Sequence, residues 1–289
     1  MDIAQRNVRW VFPAVVVCSL LGFAPRPAPA QVVPDKAPPQ PVAPGATPQQ
    51  PAPSAQPGLD QARRIAQAHG VTAWKEHQAL QVEMTVTFGG EEKFSGTLLY
   101  DYVHDRARIE CKDGKLLVWD GSKAYISPSK APEIAARYHL RTWAWFLAAP
   151  FRLEERGVLL GRPEPRPLRT RLCMSTKVAF QPRSRDAADD WYILYADGQS
   201  SELLGMAFIV TWGAAPPYSE LPAYCVEFSQ QLNCDGVKLW GEWKFTEWTS
   251  TGGPGHESVG TVRVSNPKFV TPNDEAFREP SDAREDPAP

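Results

Sequence analysis

Histidines and cysteines, five of each, carry most of the proton-transfer and metal-binding potential of this 289-residue chain. His69 and His139 are the candidates for a general base, and either would need an orienting carboxylate and a hydroxyl or thiol within reach. Gly198-Gln199-Ser200 has the start of a nucleophile elbow but not the x-Gly that completes one. Gly252-Gly253-Pro254-Gly255 lacks the Gly-Lys-Ser/Thr ending of a phosphate loop, and Pro254 removes an amide that phosphate would use, so it reads as a hairpin loop. Cys111, Cys173, Cys225 and Cys234 show neither CxxC nor zinc-ligand spacing, although their even number permits disulfides in an oxidising compartment, with three pairings open. No catalytic, metal or cofactor motif emerges, and the chain reads as a non-enzymatic binding protein. A hydrolase whose residues converge only in space is the least favoured alternative.

The remaining chemistry is hydrophobic. Trp143, Phe146, Leu147 and Phe151 lie in one aromatic stretch, and Met84, Met206, Phe208 and Phe228 sit at apolar strand positions. They either line a cavity for an amphiphile or fill a core. Such a cavity needs no reactive group, because each buried methylene contributes about 0.8 kcal/mol. Met174 shares their pattern. Arg106, Arg108, Arg169 and Arg171 occupy the opposite strand faces, where a solvated surface is the default and a headgroup or protein contact the sharper possibility.

These residues must be positioned by one helix and many strands. In Tyr138 to Leu153, Leu140, Trp143, Phe146 and Leu147 fall at i, i+3, i+6 and i+7, and Trp145 and Phe151 widen the stripe beyond the needs of a surface helix. Pro150 stops the helix, which starts near Ala131. Leu59 to Ala68 reads as an amphipathic helix ended by Gly70, and Thr72 caps a short turn carrying Trp74. From Leu80 the apolar period is two: Leu80, Val82, Met84, Val86 and Phe88 alternate with polar residues. Phe94 to Tyr102 and Arg106 to Cys111 continue a meander through the Asp113-Gly114 and Asp120-Gly121 turns. The second half repeats the pattern in Leu172–Phe180, Trp191–Tyr195, Leu204–Trp212, Tyr224–Phe228, Val237–Trp248 and Val259–Val264. About ten antiparallel strands around one interior helix predict an α+β fold: an open, strongly curved half barrel with helices across its concave side.

The N-terminus reads as a secretory signal, with Arg6 and Arg9 ahead of the apolar run Trp10 to Phe23 and Ala28-Pro29-Ala30 before the cleavage point. An uncleaved signal anchor is the alternative, but the run is short of the ~20 residues that span a bilayer. Residues 31 to 58 hold nine of the 29 prolines and no aromatic, the composition of a disordered spacer. As polyproline II this segment reaches on the order of 80 Å, enough to hold a tethered domain away from a membrane. Residues 59 to 280 form one folded domain, and the acidic, Pro-rich tail 281 to 289 reads as frayed. After cleavage the chain carries 28 basic and 32 acidic residues, a balance that does not suit nucleic acid.

Several segments together resemble the periplasmic lipoprotein carriers of the LolA and LolB type. These are Ala68 to Trp74, Asp120-Gly121 before Tyr125, Thr142 to Phe146 running into Pro150 to Leu153, Trp191 to Asp197 before Gly205 to Phe208, and Asp235 to Leu239 before Trp243 to Thr246. The resemblance implies a half barrel of about eleven strands with helices across its open side, enclosing an apolar cavity that takes up acyl chains, and a lipid or lipidated protein as partner. The carriers proper are smaller and lack the Pro-rich leader. A structural or protein-interaction module with a filled core is the second reading.

Overall fold

In the computed structural model, residues 56–132, 134–182, 189–214 and 216–287 are described. The signal segment and most of the Pro-rich spacer lie outside them. Two short helices lead, α1 (Pro57–Ala68) and α2 (Val71–Lys75). Gly70 joins them at φ +86°, and a Cβ there would lie 2.2 Å from the Gly236 carbonyl, so only glycine lets this corner dock on the sheet.

A first meander follows: β1 (Ala79–Phe88), β2 (Glu91–Asp101), β3 (Arg106–Cys111), β4 (Leu116–Trp119) and β5 (Ala124–Ser127). Its turns fall at Gly89-Gly90, Asp113-Gly114 and Asp120-Gly121, where Gly89, Gly90, Gly114 and Gly121 all have positive φ. The long helix α3 (Ala136–Ala148) comes next, and Pro150 sits in the one-turn 3-10 segment Ala149–Phe151 that ends it. The second half comprises β6 (Val158–Leu160), β7 (Glu164–Leu168), β8 (Arg171–Phe180), β9 (Tyr192–Asp197), β10 (Leu203–Phe208), β11 (Ala223–Cys234), β12 (Val237–Thr249), β13 (Gly253–Val270) and β14 (Arg284–Asp286).

All fourteen strands belong to one antiparallel sheet in the order β14-β5-β4-β3-β2-β1-β13-β12-β11-β10-β9-β8-β6, with β7 pairing β8 beside β6. It is an open curved sheet with helices, as the sequence pattern predicts, but it exceeds the expected ten or eleven strands. The extra strands are those without clean alternation. In β7, Pro165 and Pro167 occupy a strand paired on one side only, where a missing amide costs no ladder bond. At the C-terminus, β14 pairs with β5 where composition predicts a frayed tail. Its charges have partners: Lys123 Nζ lies 2.8 Å from Glu285, and Arg284 donates to the Ala131 carbonyl at 3.1 Å. Gly253 to Gly255, read as loop, open the 18-residue β13.

One apolar core fills the concave side, built from Leu80, Val82, Met84 and Val86 of β1, Ile109 of β3, Leu194 of β9, Phe245 of β12 and α3 itself. A smaller cluster of Leu168, Cys173, Tyr195, Leu204, Ala207, Cys225 and Trp248 lies on the other face of β8 to β12. Strands β9 and β10 are therefore buried on both faces. This corrects the strand parities: Tyr192 and Leu194 face the core with α3, and Tyr195 faces away. An irregularity between Leu203 and Gly205 likewise separates Leu204 from Met206 and Phe208. Leu172, placed on the apolar parity of its strand, is exposed.

Candidate functional site

The candidate site is the seam where α3 lies in the curved sheet. The helix has no capping side chain of its own. Its first turn is capped by Asp286 of β14, whose carboxylate accepts the Arg137 amide at 2.9 Å and places negative charge at the positive end of the helix dipole. From that anchor the helix turns Leu140, Trp143, Phe146 and Leu147 into the core.

Phe146 stands at the centre. Its ring lies 5.1 Å from Phe208, 5.9 Å from Phe245, 6.1 Å from Trp243 and 6.2 Å from Tyr192, mostly edge to face. Trp143 touches Phe88, Trp243 and Phe245. Phe228 meets Trp243 edge-on at 5.8 Å, and Met84 and Met206 are buried in the same cluster. Phe151 sits apart at the rim, half-buried and stacked 4.3 Å from Trp74, which stacks in turn on Tyr102 at 3.9 Å. Seven of the eight candidate residues thus form one buried body, and Phe151 packs against it. Met174 is half-buried and outside it.

Two cavities border this body. One, about 10 Å³, lies among His69, Phe146, Leu147, Phe228, Trp240 and Trp243. The other, about 60 Å³, opens between α3, the β2–β3 turn and β9, and is lined by charged and aromatic side chains, among them Tyr100, Asp105, Arg141, Arg152, Asp190 and Tyr192. At ~10–15 Å³ per water, the first holds one water and the second a few. Neither admits an acyl chain with α3 in this position.

The two candidate histidines, His69 and His139, serve the framework. His69 Nε2 accepts the Leu203 amide at 3.0 Å, which leaves Nδ1–H to donate to the Lys238 carbonyl at 2.9 Å. Desolvation by burial lowers its pKa. His139 Nδ1 accepts Trp143 Nε1–H at 3.0 Å, and burial, with Lys93 as a lesser cause, pushes its pKa down to about 4. Both rings are committed to neutral structural roles. Cys111, Cys173, Cys225 and Cys234 are free and buried, and burial raises the Cys111 thiol to about 11 and Cys225 higher still.

Four arginines expected on a wet face have internal partners. Arg106 reaches the buried Asp101 at 2.6 Å and Asp274 at 2.9 Å, and Arg108 holds Glu110 and the Ala276 carbonyl. Arg169 grips Glu227 with two nitrogens and donates to the carbonyls of Pro254 and Gly255, and Arg171 lies 3.4 Å from Asp197. The partly buried polar cluster of Asp105, Arg141, Arg152 and Tyr100 has no periodicity to mark it, since its members come from a turn, a helix face, a helix end and a strand. The Arg152 in Pro150-Phe151-Arg152-Leu153 was the available signal.

No protein-family model matches the chain, and no curated protein matches it. Among solved structures it is similar to a LolA superfamily protein from Nitrosomonas europaea, with a TM-score of 0.50 and 10% identity over 77% of this chain and 97% of that one. An outer membrane lipoprotein-sorting protein domain from Vibrio parahaemolyticus aligns at TM-score 0.47 and 11% identity over 78% and 97%. A DUF1329 family protein from Desulfovibrio piger aligns at 0.42 and 14% over 76% and 95%. At 10% identity the first of these likenesses speaks of architecture alone: the chain shares its fold with that LolA superfamily protein.

Proposed function

We propose that this chain is an exported, non-enzymatic binding protein that accommodates a lipid, acyl chain or other amphiphile in the concave side of its sheet, beneath α3. The supporting observation is the arrangement of Trp143, Phe146 and Leu147: a single helix, capped from outside by Asp286, inserts its apolar face into an open sheet that could offer the same surface to an alkyl chain. Met84, Met206, Phe208, Phe228 and Phe151 line the path. Loading requires α3 to move, because the cavities of about 60 and 10 Å³ are too small. The Pro-rich segment 31–58 serves as spacer for residues 59–280.

The same small cavities favour a second reading, an envelope interaction module whose core stays filled. Native mass spectrometry of the full chain, exported into a bacterial envelope and purified without detergent, separates the two. Co-purifying lipid that is lost in a folded W143E/F146E variant supports the carrier. A clean apo mass, with no uptake of added phospholipid or acyl peptide, overturns it and leaves the module.

A further inference from the structure

The cavity of about 60 Å³ differs from the rest of the concave side in being charged, and its charges are sorted. On one wall Arg141 and Arg152 converge on a single carboxylate: Arg141 Nη1 lies 3.2 Å from Asp105 Oδ2, and Arg152 Nη1 lies 3.2 Å from Asp105 Oδ1. Arg152 also donates to Tyr100 Oη, and its Nε is held by Glu155 at 2.6 Å. The two arginine side chains are three-quarters or more buried, whereas the Asp105 side chain is 42% exposed and sits on a turn residue at φ 51°. The carboxylate is therefore the more exposed, replaceable member between two better-buried arginines. It occupies the place of an oxyanion bridging two guanidinium groups.

Lining the same cavity are Asp190, whose Oδ1 accepts both the Thr211 amide and its hydroxyl at 2.7 Å, and the rings of Tyr138 and Trp212, 6.0 Å apart. A carboxylate beside aromatic faces suits an ammonium group. Tyr192 also lines the cavity, and its ring meets Phe208 at 5.9 Å and Phe146 at 6.2 Å among others, so the polar pocket shares a wall with the apolar seam. Among the described residues, a pair of arginines on one side and Asp190 on the other, continuous with a greasy face, complement a zwitterionic amphiphile rather than a purely anionic one.

Resting on the amphiphile-binding reading above, we infer that this pocket is the headgroup subsite. It takes a phosphodiester with an appended ammonium group, the phosphate replacing Asp105 between Arg141 and Arg152 and the ammonium meeting Asp190. The headgroup fixes the ligand while its tail follows Tyr192 into the space opened by α3.

The test uses the full chain and calorimetric titration with dihexanoyl phosphatidylethanolamine, dihexanoyl phosphatidylglycerol, dihexanoylglycerol and inorganic phosphate. The inference expects the phosphatidylethanolamine to bind most tightly. R141Q should lose about tenfold for both phospholipids and leave dihexanoylglycerol unchanged, the size expected for one charged hydrogen bond. D190N should weaken the phosphatidylethanolamine alone, and D105N should weaken none of them. Equal binding of the three lipids, unaltered by R141Q and D190N, overturns the headgroup subsite but keeps the amphiphile reading. Binding of inorganic phosphate without any lipid overturns the lipid assignment and leaves a free-anion site. Absence of all binding overturns both.

Discussion

The carboxylate of Asp286 accepts the backbone amide of Arg137 at 2.9 Å, so the last strand of the chain caps the helix that fills the half barrel. A residue 149 positions away in sequence thereby supplies what α3 lacks locally. Replacing Asp286 by alanine should cost about 1 kcal/mol and lower Tm by roughly 2–4 °C, whereas D286N, which keeps an acceptor, should cost less. Calorimetric melting of the three proteins checks this order. Equal stability of all three would remove the cap from the account.

Acid should loosen the core through His139. Its folded pKa of about 4 lies below the ordinary 6.5 because burial disfavours the imidazolium. The unfolded chain takes up the proton first, so the stability carried by neutral His139 is complete above pH 6.5 and drains away as pH falls toward 4, by roughly 3 kcal/mol in all. His69 acts in the same direction. Carboxylates held low, such as Asp197 on the Ser200 and Gln199 amides, lose their contribution only below the ordinary aspartate range. Urea midpoints of the wild type should therefore fall between pH 7 and 4.5, and H139Q, which can still accept from Trp143, should show a flatter profile.

Phe146 packs against the rings of Trp143, Tyr192, Phe208, Trp243 and Phe245. Truncation to alanine should destabilise the chain by about 3–5 kcal/mol, the cost of deleting a buried aromatic that its neighbours cannot replace. Denaturant unfolding gives the number. Phe151, half-buried at the rim, should cost clearly less when changed to leucine, despite its place in the same sequence stretch.

On the far face, Arg169 pins the β7–β8 hairpin to β11 and β13 through Glu227, Pro254 and Gly255. R169A should cost about 2 kcal/mol, since the ion pair is mostly shielded from water and several charged hydrogen bonds go with it. Hydrogen exchange should rise in residues 164–171 before it rises in β12. Exchange that stays uniform would assign the hairpin's order to the Leu168 cluster instead.

The strands of the first meander were legible because β1 to β3 are wet on one face, so alternation survives, and because Asp-Gly and Gly-Gly turns mark their ends. The helix α3 was legible from Trp143, Phe146 and Leu147 with Pro150 as its stop. Periodicity failed at β9 and β10, buried on both faces, where Tyr195 and Tyr192 look equally apolar. It failed again at β7 and β14, whose identity depends on edges that exist only once the sheet is built. The candidate cavity residues were recognisable as core; the charged pocket around Asp105 was not, because no local pattern links Tyr100, Arg141 and Arg152. His69 could not be read as a strut without knowing that the amide of Leu203 and the carbonyl of Lys238 come to it.

The sheet order also dictates when this chain can finish folding. From β1 to β5 and from β8 to β13 every neighbour in space is a neighbour in sequence, so each half can assemble as soon as it is made. Among the described strands, two seams join distant segments, β1 with β13 and β5 with β14, and both need residues after Gly252. A nascent chain that has not yet made β13 and β14 would hold two incomplete sheets with exposed edges and an uncapped helix. Completion waits for β13 and β14, which act as a clasp on the two halves.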